Sequence, residues 1–412
     1  MPRALFVWMH RWAGLAMAGF LILVGLTGSL LAFWLEINHW LTPELYPGPR
    51  AGIELDAAVL ARRAESLVPG AQVRTVYLGY PGSAQIGMQA RDGAPPLDFE
   101  YIHLDPIDGH ELGRVTWHGL PSTKNDIMPF VYGLHMYLAM SGIGEWILGA
   151  VALTWTLDCF VGFYLTLPAG GERSRKGFFA RWKPSWLVKL KSSFYRINFD
   201  LHRAAGLWLW AMLLVFAWSS VFFTLPNFYT RATQLVLDFE APYWAWKAPP
   251  RIDARAPMEW EDAQKTGERL MEAQARRHGF AIERPLALYH LREAGLYEYR
   301  VRSSRDIGDK AGSTSILFDS RSGELTTLSL PTGQRSGTTL TTWLVELHTA
   351  NIFGLPYRIF VCALGLIIAM LSVTGVYIWW KKRSARKLRS SAVTLQPALA
   401  RERYLLRRRS SA

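Results

Sequence analysis

Apolar residues gather into four stretches, 12 to 35, 145 to 168, 204 to 226 and 359 to 380. Each holds about the 20 mostly apolar residues needed to cross a hydrocarbon core roughly 30 Å thick, so four membrane spans are expected. Their mid-span positions read as apolar, without charged groups. The segments between them follow a different rhythm. Leu55 to Leu67 has helical apolar spacing and runs into Pro69-Gly70, after which Val73 to Tyr80, Ala84 to Ala90 and Phe99 to Leu104 alternate as strands do. The same order returns later, with a helix from Trp260 to Arg277 and strands at Leu286 to His290, Leu296 to Arg302 and Ser315 to Phe318. Both series close on a related turn: Leu104-Asp105-Pro106-Ile107-Asp108-Gly109-His110-Glu111-Leu112 matches Phe318-Asp319-Ser320-Arg321-Ser322-Gly323-Glu324-Leu325, with Asp and Gly placed for a hairpin. The pattern predicts an α-helical four-span bundle carrying two extracytoplasmic α+β domains, built by internal duplication.

Charge orients the bundle. Residues 1 to 11, 170 to 196 and 381 to 412 carry 21 Lys or Arg against two acidic residues, Glu172 and Glu402, whereas the remainder holds 25 basic and 31 acidic residues. By the positive-inside rule both termini and the middle connection face the cytoplasm. The net charge of +13 is thereby explained by orientation and contact with anionic lipid, and nucleic acid is not an expected partner. The segmentation predicted is a first span with its cytoplasmic start (1–38), an outer domain (39–128), an interfacial helix and second span (129–168), a basic connection (169–196), a third span (197–226), a second outer domain (227–342), an interfacial helix and fourth span (343–381) and a basic tail (382–412). The first apolar run is too long for a signal peptide and is read as a retained anchor. Trp8, Trp12, Trp34, Trp40, Trp379 and Trp380 fit an aromatic belt.

Four histidines recur at matching places in the two halves. His10 opens His10-Arg11-Trp12-Ala13-Gly14-Leu15 and His202 opens His202-Arg203-Ala204-Ala205-Gly206-Leu207. His135 lies 27 residues before Gly162, and His348 lies 27 residues before Gly375. His10 and His202 begin equivalent inside-to-outside spans, and His135 and His348 precede the two returning spans, so each pair shares a depth. Ionisable residues in a membrane persist where they have a partner or a function. Two same-depth pairs suit two bis-imidazole haem sites, with all four histidines as iron ligands. Gly14 and Gly206, four residues after His10 and His202, leave a bare patch one turn away on the same face, as a flat porphyrin needs. Arg11 and Arg203 are placed to pair with haem propionates. A continuous helix from His135 to Tyr164 would run about 43 Å, too long for one span, so breaks are expected at Ser141-Gly142-Ile143-Gly144 and at Gly354-Leu355-Pro356. Met9 and Met136 flank candidate ligands but point about 100° away on a helix and are assigned to packing.

The remaining residues narrow the chemistry. His39, His103, His110, His118, His278 and His290 show no metal-ligand spacing and read as surface or turn residues, with His39 and His118 kept as substrate-side candidates. No Cys-x-x-Cys-His occurs, which excludes covalent c-type attachment. Cys159 and Cys362 are too far apart in depth to bridge. No dinucleotide or phosphate-binding loop is present, so electrons must come from another protein or from quinol. The cluster Tyr243-Trp244-Ala245-Trp246 is a packing element or an aromatic wall for a bulky chelate.

Helix, β hairpins, Asp-x-x-x-Gly turn, Leu-His and a span ending in Gly-x-Tyr, twice over, resemble the PepSY-associated transmembrane helix family across roughly residues 1 to 382. Within it, the four-span, two-domain members resemble bacterial siderophore reductases of the ferrioxamine-reductase type. The resemblance implies two PepSY-like outer domains, two haem b groups and an electron path across the bacterial inner membrane. It also implies reduction of a ferric siderophore, hydroxamate type, on the periplasmic side, fed by a quinol or a cytoplasmic reductase. Two other readings stay open: a non-redox permease for iron chelates, and a PepSY-type membrane sensor or regulator.

Overall fold

The computed structural model describes residues 2–169, 177–239 and 256–409, with side chains described up to residue 385. The Tyr243 to Trp246 cluster lies outside the described residues, as do the side chains of the basic tail beyond residue 385. In chain order the elements are helices α1 (Pro2–Leu31), α2 (Trp34–Leu41) and α3 (Ala57–Leu67), strands β1 (Ala71–Tyr80), β2 (Ser83–Ala90), β3 (Tyr101–Leu104) and β4 (Glu111–Val115), helices α4 (Ile127–Tyr137), α5 (Ile143–Thr166), α6 (Phe178–Trp182), α7 (Phe194–Trp208), α8 (Trp210–Thr224), α9 (Pro226–Gln234) and α10 (Trp260–His278), strands β5 (Ile282–Leu291), β6 (Leu296–Ser303), β7 (Thr314–Asp319) and β8 (Leu325–Ser329), and helices α11 (Ser336–His348) and α12 (Gly354–Arg409). Among the described residues, three helical segments are long and apolar enough to cross a membrane: Arg3–Leu31, Ile143–Thr166 and Gly354–Ala385. The expected third span is two helices, α7 and α8, bent by 70° at Leu209, so the count is three spans or four if the bent pair is one. The chain divides into two compact units.

The first unit comprises Met1–Gly25, Leu153–Leu214 and Leu366–Ala412. Ser193 caps α7 by accepting from the Arg196 backbone N–H at 3.3 Å. One turn on, Asp200 is fully buried and accepts from Arg196 Nε and Arg203 Nη2, both at 2.9 Å. A buried carboxylate is tolerable only when paired in this way. The Trp210 indole donates to the Cys159 carbonyl at 2.9 Å, and Arg3 donates to the Leu165 carbonyl at 2.8 Å, tying α8 and α1 to α5.

The second unit comprises Leu26–Ala152 and Val215–Gly365 and holds an eight-stranded antiparallel sheet in the order β4-β3-β2-β1-β5-β6-β7-β8. Two separate outer domains were expected; the structure joins them into one sheet. Strands β1 and β5, equivalent in the duplication, pair through Thr75↔Tyr289, Val76↔Leu288 and Tyr77↔Ala287. Left alone, each would expose an unpaired edge, and pairing them satisfies both rows of backbone groups. Helices α3 and α10 also meet, with the Ala58 N–H donating to Gln264 Oε1 at 2.9 Å and Arg62 paired to Glu261 at 2.6 Å. Leu60, Val76, Ile86, Ile102, Leu288 and Ile316 are wholly buried in one core shared by both halves. Each such side chain contributes about 1.5–3 kcal/mol.

Both Asp turns form as the motif predicts. Asp105 Oδ1 accepts from the Ile107 N–H at 2.8 Å and Asp319 Oδ1 from the Ser322 N–H at 2.8 Å, with Gly109 and Gly323 at φ of 73° and 71°. Those positive angles cost a glycine little and an L side chain much. The turns lead into β4 and β8, which the sequence pattern missed because Glu111-Leu112-Gly113-Arg114-Val115 and Leu325-Thr326-Thr327-Leu328-Ser329 are short and barely alternate. Both helices break, but upstream of the residues expected: α4 ends at Tyr137 with Leu138 and Ala139 at φ of 56° and 53°, and α11 ends at His348 with Ala350 at 53° and Phe353 at 62°, whereas Ile143-Gly144 and Gly354-Leu355-Pro356 open the helices that follow.

Candidate functional site

The four recurrent histidines lie in two pairs, each within one unit. In the first unit His10 of α1 and His202 of α7 have ring centres 6.1 Å apart, with planes at 61°. In the second, His135 of α4 and His348 of α11 have ring centres 6.2 Å apart, with planes at 73°. These are the pairs that shared depth predicts.

Each ring is held by Nδ1. Asp158 of α5 places both carboxylate oxygens 3.0 Å from His10 Nδ1. His202 Nδ1 donates to the Leu371 carbonyl at 3.0 Å and lies 3.1 Å from Thr374 Oγ1. Thr27 Oγ1 is 3.1 Å from His135 Nδ1, and Ser219 Oγ is 2.7 Å from His348 Nδ1. Burial, with His135 beside it, pushes His348 down to about 3, so its imidazole is neutral, the form that ligates metals. Metal-ligating histidines bind through one ring nitrogen and anchor the other on the protein in this manner.

A metal sits about 2 Å from a ligating imidazole nitrogen, and the ring centre lies about 1 Å behind that nitrogen. Two imidazoles facing one metal therefore have centres about 6 Å apart, as both pairs do. The space beside them also suits a planar group. A Cβ added at Gly14 or Gly206 would meet nothing within 4 Å. Other glycines seat the rings: a Cβ at Gly28 would come within 2.9 Å of His135 Cε1, one at Gly375 within 3.2 Å of His202 Cε1, and one at Gly162 within 3.7 Å of His10 Cε1. Phe216 stacks on His348 at 4.6 Å.

Local structure fixes the helices that carry the second pair. Asp126, at the start of α4, accepts from the Thr116 N–H at 2.9 Å and the Thr123 N–H at 2.8 Å, which ties the helix to the end of β4. Burial would raise this carboxyl, but those donors, with the Thr123 and Ser122 hydroxyls, hold it below its ordinary value. On the other side Thr342 Oγ1 donates to the Pro331 carbonyl at 2.7 Å and Tyr229 meets Thr341 at 2.9 Å, anchoring α11.

Other sequence expectations need correction. Arg203 is not open to a propionate as expected, since it donates to Asp200 and to the Pro184 carbonyl. Arg11 makes no ion pair with a described residue. The mid-span positions are not free of charge, because Asp158 lies inside Ile143–Thr166. The pattern that would have found it is positional: Asp158 follows His135 by 23 residues as Leu371 follows His348, and Thr27 and Ser219 follow His10 and His202 by 17. His110, read as lacking metal-ligand spacing, does converge with Asp105 and Asp108. The Arg50 guanidinium already pairs with both carboxylates, and that cluster is assigned to the turn. His39 Nδ1 donates to the Tyr46 carbonyl, 2.7 Å away, and His118 faces Glu100 at 3.2 Å; neither joins the histidine pairs. Cys159 and Cys362 are both free thiols.

No curated protein matches the chain. A family model described as the PepSY-associated TM region matches residues 7–382, most of its length. Apolar helices of spanning length and this match together make it a membrane protein, and the chain belongs to the PepSY-associated TM region family.

Proposed function

We propose that the protein is a di-haem b ferric-siderophore reductase of the bacterial inner membrane. It would take electrons from a quinol or a cytoplasmic reductase and reduce siderophore-bound Fe(III) on the periplasmic side. The observation that carries this reading is the two imidazole pairs with ring centres 6.1 and 6.2 Å apart, each ring with Nδ1 anchored on the protein. Family members are often haem-binding, which supports it.

Bound haem supplies a one-electron couple that no side chain here possesses. His10 and His202 would hold one group and His135 and His348 the other. Asp158, the Leu371 carbonyl, Thr27 and Ser219 orient the rings, and Gly14 and Gly206 leave room for the macrocycle. Arg11 is the remaining candidate for a propionate. The His135 and His348 helices are anchored to the sheet-bearing unit, and a siderophore bound on that unit would lie near the second pair. Hard oxygen donors hold Fe(III) more tightly than Fe(II), so adding one electron weakens the chelate.

An optical spectrum of the purified protein tests the reading. A reducible b-type Soret and α band, with two haems per chain by extraction, is the expected result. A colourless protein from cells supplied with haem overturns it and leaves the permease and the PepSY-type sensor.

A further inference from the structure

The two halves present different partners to their equivalent histidines. At the position after His135 where one half carries Asp158, the other carries Leu371; His202 Nδ1 meets the Leu371 carbonyl and the Thr374 hydroxyl, His135 Nδ1 the Thr27 hydroxyl and His348 Nδ1 the Ser219 hydroxyl. Asp158 is largely buried, at 10% side-chain exposure, and among the described residues no Lys or Arg pairs with it. An ionisable group inside an apolar span is costly without a partner. Its oxygens are equidistant from His10 Nδ1, an arrangement in which the ring donates Nδ1–H to the carboxylate and presents Nε2 away from it.

We propose that Asp158 is a positioning residue for the His10–His202 site: it fixes the tautomer and orientation of His10 and, through its negative charge, makes this site the harder of the two to reduce. The inference rests on the haem reading above. A carboxylate beside a histidine that held the haem iron would raise that histidine's basicity and stabilise the more positive ferric state over the ferrous one. The second site, with Thr27 and Ser219 as partners, receives no such bias from them. A donor-side centre of low potential and an acceptor-side centre of higher potential favours electron flow toward the siderophore.

The experiment is a potentiometric titration of the full-length protein in detergent, following the haem α bands. In Asp158→Asn one midpoint should rise by at least a tenfold change in the one-electron equilibrium, about 59 mV, while the other stays put. Asp158→Glu should restore it toward the wild-type value. Thr374→Val, which alters a neutral partner of His202, should shift the same midpoint far less. Two unchanged midpoints in Asp158→Asn overturn the proposal, as does a shift in Thr374→Val of equal size. If Asp158→Asn loses both haems and so has not folded, Thr374→Asp decides: with a carboxylate beside His202 Nδ1 the midpoint should fall, and a midpoint that does not fall overturns the proposal. A wild-type protein without haem would instead remove the underlying functional reading.

Discussion

His103 is fully buried and His348 half-buried, and both are pushed down to about 3 by loss of solvent, yet they do different work. His103 sits inside the sheet with Ser83 Oγ 2.8 Å from Nδ1 and Gln85 Nε2 3.3 Å from Nε2, so both nitrogens are spent on the fold. Its folded value lies below the ordinary 6.5. Below pH 6.5 the unfolded chain takes up a proton that the folded chain refuses until about pH 3, so stability present above 6.5 drains away across that window. The loss from this residue should be about 1.4 kcal/mol per pH unit. Thermal unfolding followed by tryptophan fluorescence at several pH values should show a steep acid slope in wild type and a shallower one in His103→Gln; equal slopes would remove His103 as the cause. For the paired rings the expected signature is stoichiometric. His10→Ala and His202→Ala should each remove the same haem, His135→Ala and His348→Ala the other, leaving one per chain by extraction. If members of one pair remove different haems, the pairing by ring distance is wrong.

Helices α3 and α10 and most of the strands could be read from apolar period alone, because period reports which face is buried, whereas the short α2, α6 and α9 were missed. Strand β1 spans Ala71–Tyr80 against the expected Val73 to Tyr80, and α10 spans Trp260–His278 against Trp260 to Arg277. What could not be read is where a strand finds its second neighbour. The alternation of Thr75-Val76-Tyr77 is the same whether its far edge meets solvent or β5, so two domains and one joined sheet look alike in sequence. The bend at Leu209 was hidden for a similar reason, since no proline marks it, Gly206 lies three residues before it inside α7, and the stretch stays apolar on both sides. Asp158 escaped notice because a single carboxylate in a long apolar window hardly changes its hydropathy. The joined sheet makes a specific demand on stability. Leu288 is fully buried in the shared core, and Leu288→Ala should cost about 2–5 kcal/mol. Because the seam binds both halves, the loss should appear as one cooperative transition by hydrogen exchange, with protection falling in β2 and β3 as well as in β6 and β7. Protection lost only in β6 and β7 would show that the halves unfold independently.

For the chain as a machine, the proposed reaction sets a kinetic expectation. Chemically reduced protein should be reoxidised by a ferric hydroxamate siderophore, and His348→Ala should slow that reoxidation far more than it slows reduction of the His10–His202 site. Stopped-flow absorbance at the α band measures both. Reoxidation of the variant at the wild-type rate would take the His135–His348 site out of the exit path. The seam between β1 and β5 bears on how such a path acquires direction. Two equivalent strands meeting antiparallel is the contact that two identical half-length chains would make across a twofold axis, where every residue must occur at both positions. A symmetric dimer of that kind could not put a carboxylate beside one copy of a histidine and a carbonyl beside its twin. Joining the copies into one polypeptide removes the constraint: the pairing that builds the sheet is kept, while Asp158 and Leu371 are free to differ, so the two histidines of one site can be tuned separately where symmetry would hold them alike.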